Sequence, residues 1–309
     1  RWKKEGSAYT KENFVSTNNL IRSIAISDNG KYLAVAMEQP SILVYDTDQP
    51  ATAPIRLTGH AGMVTSVEFV PGTTILASVA TDSSARLWNL PQGQGSVIGT
   101  ANSKLNTVAT SYDGNLVAAV SDLGQVMIWN RAKDNQLLTL IETGGRKIYA
   151  LAFAHEKPYL AVGVGTGTIK IWNYREKKVI KTLVGHRARV NQAAFSYDDK
   201  MLATGSFDNS IKLWNLENFN DQPIDLKDHN SWVWSLSFSR DNKTIVAGCV
   251  DNLIRVWPTD IDQMASQVCS LLPRNMTQKE WEQYVATDIP YNDTCKGLPK
   301  GTEESSNEE

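Results

Sequence analysis

The chain has 309 residues, with 31 basic and 33 acidic side chains and a formal net charge of −2. A balance this even offers no strong basic field for a phosphate backbone, which excludes nucleic acid as the main partner. No apolar run approaches the roughly 18 residues of a membrane span, and three cysteines are too few for a disulfide scaffold.

In chain order, the first residues read as the end of a strand at Trp2, and residues 13–15 fit an outer strand. Six sets of three short strands follow, beginning near Ile21, Val64, Leu105, Ile148, Val190 and Val233. Each set alternates β-branched, aromatic and small apolar residues between Asp, Asn and Gly clusters, the signal of strands joined by tight turns. Outer strands are expected at 55–57, 97–98, 137–140, 179–183 and 224–226. None follows Trp257. Residues 13–15 can supply that missing strand, which would leave the ring no open sheet edge.

A closing aromatic recurs at Trp2, Tyr45, Trp88, Trp129, Trp172, Trp214 and Trp257, in steps of 43, 43, 41, 43, 42 and 43 residues. Gly-His opens the repeat at Gly59-His60 and Gly185-His186, with Asp228-His229 as a variant, and a turn Asp stands at Asp82, Asp122, Asp208 and Asp251. The spacing and these residues resemble the WD-repeat β-propeller family. The resemblance implies an all-β propeller of six complete blades over residues 1–257. Trp2 reads as the end of a seventh repeat whose first strands lie upstream, so the chain reads as a piece of a longer protein.

The tail differs in kind. Residues 260–272 carry Ile261, Met264, Ala265, Val268 and Leu272 at helical spacing. A capping box at Thr277–Glu280 opens a second helix bearing Trp281, Tyr284 and Val285. Residues 258–299 are expected to form a helical extension docked on the propeller through Trp281, and 300–309 a disordered acidic end. Cys269, Arg274-Asn275-Met276-Thr277, Glu280-Trp281, Tyr284, Pro290-Tyr291 and Thr294-Cys295 are similar to the tail that follows the last WD repeat in bacterial STAND-type signalling proteins. That resemblance implies a sensor or scaffold module restraining an effector domain upstream. Cys269 and Cys295 bracket the second helix and are a candidate disulfide if the compartment is oxidising.

His186, Ser206 and Asp208 beside Trp214 invite a catalytic-triad reading. The set recurs in part at His60, Asp82 and Trp88 and at His229, Asp251 and Trp257, and a catalytic site is built once. In the family these residue types form a hydrogen-bonded chain inside a blade, so a structural network is the better reading. The glycine-rich run 163–167 lacks the Lys and the following helix of a phosphate loop and reads as a hairpin turn. His155 reads as an exposed turn residue. Four scattered histidines make no metal cluster, and no cofactor is expected.

The residues on either side of the first apolar residue of each innermost strand should open onto one rim of the ring. The pairs are Leu20/Arg22, Met63/Thr65, Lys104/Asn106, Lys147/Tyr149, Arg189/Asn191 and Trp232/Trp234. The residues before the turn Asp add Phe207, Thr81, Ser121 and Val250. Trp232, Trp234, Tyr149 and Phe207 therefore gather with Arg189, Lys147, Lys104 and Arg22, the residue types of binding hot spots. The expected function is non-catalytic recognition of a protein or peptide, in the cytoplasm, or outside it if a membrane span lies upstream. The alternatives are a small ligand in the channel and an enzyme on the rim, for which that set supplies no carboxylate.

Overall fold

The structure, a computed structural model, describes residues 2–5, 8–11, 19–227, 231–285 and 287–302. The outer strand expected at 13–15, His229 and most of the acidic end lie outside the described residues. β1 (Trp2–Glu5) pairs with β2 (Ala8–Lys11), Trp2 opposite Lys11, in a two-stranded sheet of their own.

Six antiparallel sheets follow, each a meander from the innermost strand outward. Sheet 1 holds β3 (Ile21–Ile26), β4 (Tyr32–Met37), β5 (Ile42–Asp46) and β6 (Ile55–Leu57). Sheet 2 holds β7 (Val64–Phe69), β8 (Ile75–Ala80), β9 (Ser84–Asn89) and β10 (Gln94–Thr100). Sheet 3 holds β11 (Leu105–Thr110), β12 (Leu116–Ser121), β13 (Gln125–Asn130) and β14 (Gln136–Glu142). Sheet 4 holds β15 (Ile148–Phe153), β16 (Tyr159–Val164), β17 (Thr168–Asn173) and β18 (Lys178–Val184). Sheet 5 holds β19 (Val190–Phe195), β20 (Met201–Ser206), β21 (Ile211–Asn215) and β22 (Ile224–Leu226). Sheet 6 holds β23 (Val233–Phe238), β24 (Thr244–Cys249) and β25 (Ile254–Pro258). Together they are a six-bladed β-propeller.

The core lies between sheets rather than within one. Val64, Val67 and Phe69 of β7 pack on Ala34, Ala36, Ile42 and Val44 of sheet 1. Leu105 and Val108 of β11 pack in the same way on Ala77, Val79 and Ala85 of sheet 2. Period-2 alternation makes this possible, because each strand offers one apolar row to the preceding sheet and another to the following one.

Each innermost strand carries one irregularity, always after its first apolar residue. The register skips Arg22, Thr65, Asn106, Tyr149, Asn191 and Trp234. A bulged residue is left out of the ladder and its side chain is re-aimed.

The tail forms α1 (Ile261–Leu271), capped by the Asp260 carboxylate on the backbone N–H of Asp262 and Gln263. It continues into α2 (Gln278–Tyr284), opened by the reciprocal Thr277–Glu280 box. Met264 of α1 packs against the core shared by sheets 5 and 6. Trp281, expected to anchor the tail on the propeller, instead lies buried against Tyr291 at a ring separation of 5.6 Å and donates to Ile289 O at 2.9 Å. Those partners lie 8–10 residues ahead in the tail, so its indole fixes the tail to itself. Cys269 and Cys295 are bridged, with Cα atoms 5.4 Å apart. The buried Asn275 side chain accepts from Cys295 N at 2.8 Å and donates to the carbonyls of Cys295 and Leu298 at 3.0 Å.

Close packing between sheets gives a direct test at Gly205. A Cβ there would stand 2.6 Å from Val233 Cγ1 of the next sheet. Gly205→Ala is expected to lower stability by about 1–3 kcal/mol through overpacking, read from the urea unfolding midpoint.

Candidate partner-binding rim

Two polar networks set the blades from which the rim is presented. In sheet 5, Trp214 Nε1 donates to Thr204 Oγ1 at 2.8 Å, Thr204 meets His186 Nε2 at 2.8 Å, and His186 Nδ1 meets Asp208 Oδ2 at 2.9 Å. The hydroxyl is thus Thr204 and not Ser206. Ser206 lies two residues on, donates to Ala188 O at 3.2 Å and accepts from Asp208 N at 3.1 Å. Sheet 2 holds the same chain through Trp88, Ser78, His60 and Asp82, with links of 2.8, 2.8 and 3.0 Å. Sequence reading left the sheet 2 set incomplete because it missed Ser78. Ser78 precedes Trp88 by ten residues, as Thr204 precedes Trp214, and that shared offset was the available signal. Ser78, Thr204 and Ser206 are all fully buried, whereas a hydrolytic nucleophile has to be exposed. In sheet 6, Asp251 pairs with Arg255 at 2.8 Å and accepts from Ser231, and His229 of the expected set lies outside the described residues.

These networks keep carboxylates ionised. Burial raises the Asp82 carboxyl, but hydrogen bonds from Ser84, Ala61 N and His60 outweigh it and hold the pKa at about 2. Asp208 is held still lower, against its burial, by His186, Ser210 and Arg187 N. Burial pushes His60 below its ordinary value despite Asp82.

The rim grows out of the bulges. Tyr149 of β15, Arg189 ahead of β19, Phe207 after β20 and Trp232 ahead of β23 stack in one ladder across sheets 4, 5 and 6. The Arg189 guanidinium lies 4.2 Å from the Tyr149 ring centre and 3.8 Å from that of Phe207. Phe207 stacks on Trp232 at 4.4 Å and 6° and meets Trp234 at 5.8 Å. Both tryptophans are nearly half exposed. A guanidinium between two ring faces is held by their quadrupoles and by loss of water.

The other cations are paired. Lys104 Nζ lies 3.0 Å from Asp122 Oδ2 and Lys147 Nζ 4.0 Å from the same oxygen, while Arg22 pairs with Glu38. The rim therefore does carry carboxylates, contrary to the sequence expectation. Asp122 reaches it from a turn and Glu38 from the end of β4, places the flanking-residue rule does not sample. Ser121, expected on the rim, is fully buried and accepts from Gln125 N. Among the described residues no group of His, Cys, Asp and Glu is placed to hold a metal ion.

Below the rim runs a central channel of about 1470 Å³ lined by the innermost strands. Glu68 faces it. Burial lifts its carboxyl to about 7 against hydrogen bonds from Thr110 N and Oγ1. At the opposite mouth stands His155, a turn residue but not the exposed one expected. Its ring lies 5.1 Å from that of Tyr112 and 4.6 Å from that of Tyr197, and its Nδ1 is 3.4 Å from the buried Asp199.

His186→Ala is expected to cost about 1–3 kcal/mol, since Thr204 and Asp208 lose a buried partner. Depressed carboxylates stabilise the fold above their unfolded pKa of about 4, and a depressed His does so above about 6.5. Between about pH 7 and 4.5 the unfolded chain takes up a proton that buried His60 refuses while the folded chain keeps one on Glu68, so the two offset each other and thermal midpoints should change little. The fall should set in from about 4 toward the Asp82 value of about 2. Circular-dichroism melts between pH 7 and pH 3 read both.

The family described as the IFT122 first beta-propeller matches residues 2–258. The chain is also 32% identical over 127 residues to the small ribosomal subunit protein RACK1 of Caenorhabditis elegans, covering 40% of this chain and 38% of that protein. It is 27% identical over 176 residues to the nuclear distribution protein nudF of Aspergillus niger, covering 50% and 40%. It spans about two fifths of each relative. The six meander sheets, the repeat lattice and the family match agree: the chain belongs to the WD-repeat β-propeller family, in the group of the IFT122 first beta-propeller.

Proposed function

We propose that this chain is a non-catalytic recognition module that binds a protein or peptide on the rim. The ladder of Tyr149, Arg189, Phe207 and Trp232, with Trp234 beside it, carries the reading. Large rings held rigid and half in water have little entropy left to lose on binding and much apolar area left to bury. Four cations face two carboxylates on the same rim, which favours a partner segment bearing an apolar anchor and acidic neighbours. One relative is named as a small ribosomal subunit protein, and a place within an assembly suits a rim built this way.

The tail residues support a further reading, that the propeller is the sensor or scaffold part of a larger signalling protein with an effector domain upstream. The relatives come from a nematode and a fungus and lend the bacterial context no support; it rests on the tail alone. Among the described residues no helix is long and apolar enough to cross a membrane. A cytoplasmic module suits the even charge. The Cys269–Cys295 bridge is the feature that would favour the extracytoplasmic alternative.

Trp232→Ala combined with Arg189→Ala is expected to weaken partner binding by at least about 2 kcal/mol, the scale of hot-spot truncation, with the unfolding midpoint little changed. Quantitative pull-down at graded salt measures it. Equal recovery of the same partners by wild type and double variant would place the site elsewhere.

A further inference from the structure

The rim occupies one mouth of the channel, and the opposite mouth carries a different chemistry. In each innermost strand the third and fifth residues look along the channel wall to the next sheet, as the Thr107 hydroxyl does to Tyr149 O at 3.0 Å. They are Ala, Ser or Thr throughout, except Glu68 of β7 and Gln192 of β19. Small side chains keep the channel open, and among these positions Glu68 alone is ionisable.

Glu68 stands one residue from the end of β7, on the side away from the rim. Its Oε1 takes both bonds from Thr110, from N at 3.2 Å and from Oγ1 at 2.9 Å. Burial and Thr110 act on this carboxyl, and among the described residues no cation does. A carboxylate surrounded by protein without a cation is costly to keep charged, which is why its pKa is pushed up to about 7. The side chain nevertheless keeps a partly open face on the cavity that it lines.

An aromatic wall stands beside it. Thr110 ends β11, and Tyr112 follows two residues on, 56% exposed. The Tyr112 ring meets His155 at 5.1 Å and Tyr197 at 6.4 Å, and His155 lies 4.6 Å from Tyr197. All three rings line the same cavity as Glu68. Asp199 holds the His155 turn through three backbone N–H groups, so the wall is set before any ligand arrives. Arg240 lines this mouth too, but it is turned to Asp28, Nη2 to Oδ1 3.9 Å and to O 3.4 Å.

A carboxyl without a counter-ion beside exposed rings is complementary to one class of ligand. Glu68 repels an anion, and a purely apolar ligand would shut the carboxyl from water with nothing in exchange. An organic cation satisfies both parts, its charge on the carboxylate and its carbon body on the rings. We propose that the channel end opposite the rim binds a small organic cation, an ammonium or guanidinium, with Glu68 as its counter-ion and Tyr112 as its ring contact.

Butylamine, phenethylamine and agmatine are the probes. They are titrated into the protein at about pH 8, where Glu68 is ionised, and followed by saturation-transfer NMR. At least one is expected to bind saturably. Glu68→Gln keeps an oxygen for Thr110 and loses the charge. It should weaken that binding at least about tenfold, with the thermal midpoint little changed. Tyr112→Leu, at an exposed place, should weaken it about two- to fivefold. The rim variant Trp232→Ala with Arg189→Ala should leave it unchanged, because the rim lies at the other mouth. Absence of saturable binding by all three amines would overturn the proposal. So would an affinity that Glu68→Gln or Tyr112→Leu leaves unchanged, or one that the rim variant abolishes.

Discussion

The constraint on which this structure depends is that no sheet of the ring can bury its own apolar surface. Each strand has two apolar rows, and a sheet four strands wide covers neither by itself. Five inter-sheet layers follow, each made of small residues on one side and branched ones on the other. The alanines at the third place of the second strands set the sheet spacing, and Val, Leu and Ile of the next innermost strand fill it. At roughly 25 cal/mol per Å² of apolar surface removed from water, these layers are the main stabilising contribution.

Polar groups then fix what burial leaves loose. Burial has no direction, and two sheets can slide on one another with little change in apolar contact. The His60 and His186 networks tie the Gly-His entry to the blade's own second and third strands. At the opposite mouth, Asp199 of sheet 5 accepts from the backbone N–H of His155, Glu156 and Lys157 in sheet 4 at 2.8–2.9 Å, which pins the angle between those sheets. The full His network stands in sheets 2 and 5 among the described residues, and inter-sheet links of the Asp199 kind add to the fixing. Such contacts are worth more than exposed ion pairs because their partners are desolvated together.

The innermost strands were legible in the sequence to the residue, since all six begin at their expected first apolar position. Strong alternation next to a turn is a signal that burial itself creates. The outer strands Ile55–Leu57 and Ile224–Leu226 were legible to the residue, and the other three only in part. Residues 97–98 proved to lie within Gln94–Thr100, whose exposed side chains follow no alternation that a periodicity rule can detect. The Thr204 error has a different cause. Thr204 and Ser206 share one face of β20, period 2 cannot separate them, and only the offset to Trp214 does. The rim residues were found because the bulge recurs at a fixed place. Asp122 was read only as a turn Asp, and Glu38 and Glu68 were missed, because each acts through a neighbour in space that sequence spacing does not reveal. Sequence order likewise suggested Trp281 as a clamp on the propeller, although its partners Ile289 and Tyr291 follow closely in the tail.

The tail completes the argument about edges. Among the described residues no fourth strand pairs with β25, and a bare strand edge there would invite pairing with other chains. α1 lies against sheet 6, with Met264 in the core beneath it and Trp257 in the same cluster. A helix of 11 residues is marginal alone in water, so its order derives from what holds both its ends. Asp260 caps it where β25 stops, and Cys269, in its last turn, is tied to Cys295 and through it to the Asn275 hub. The appendage is thus a small unit with its own disulfide and its own buried Trp, joined to the ring through one helix. Ring and tail need each other in opposite senses. The tail shields the flank of the last sheet, and the ring gives α1 the apolar surface without which neither short helix would persist.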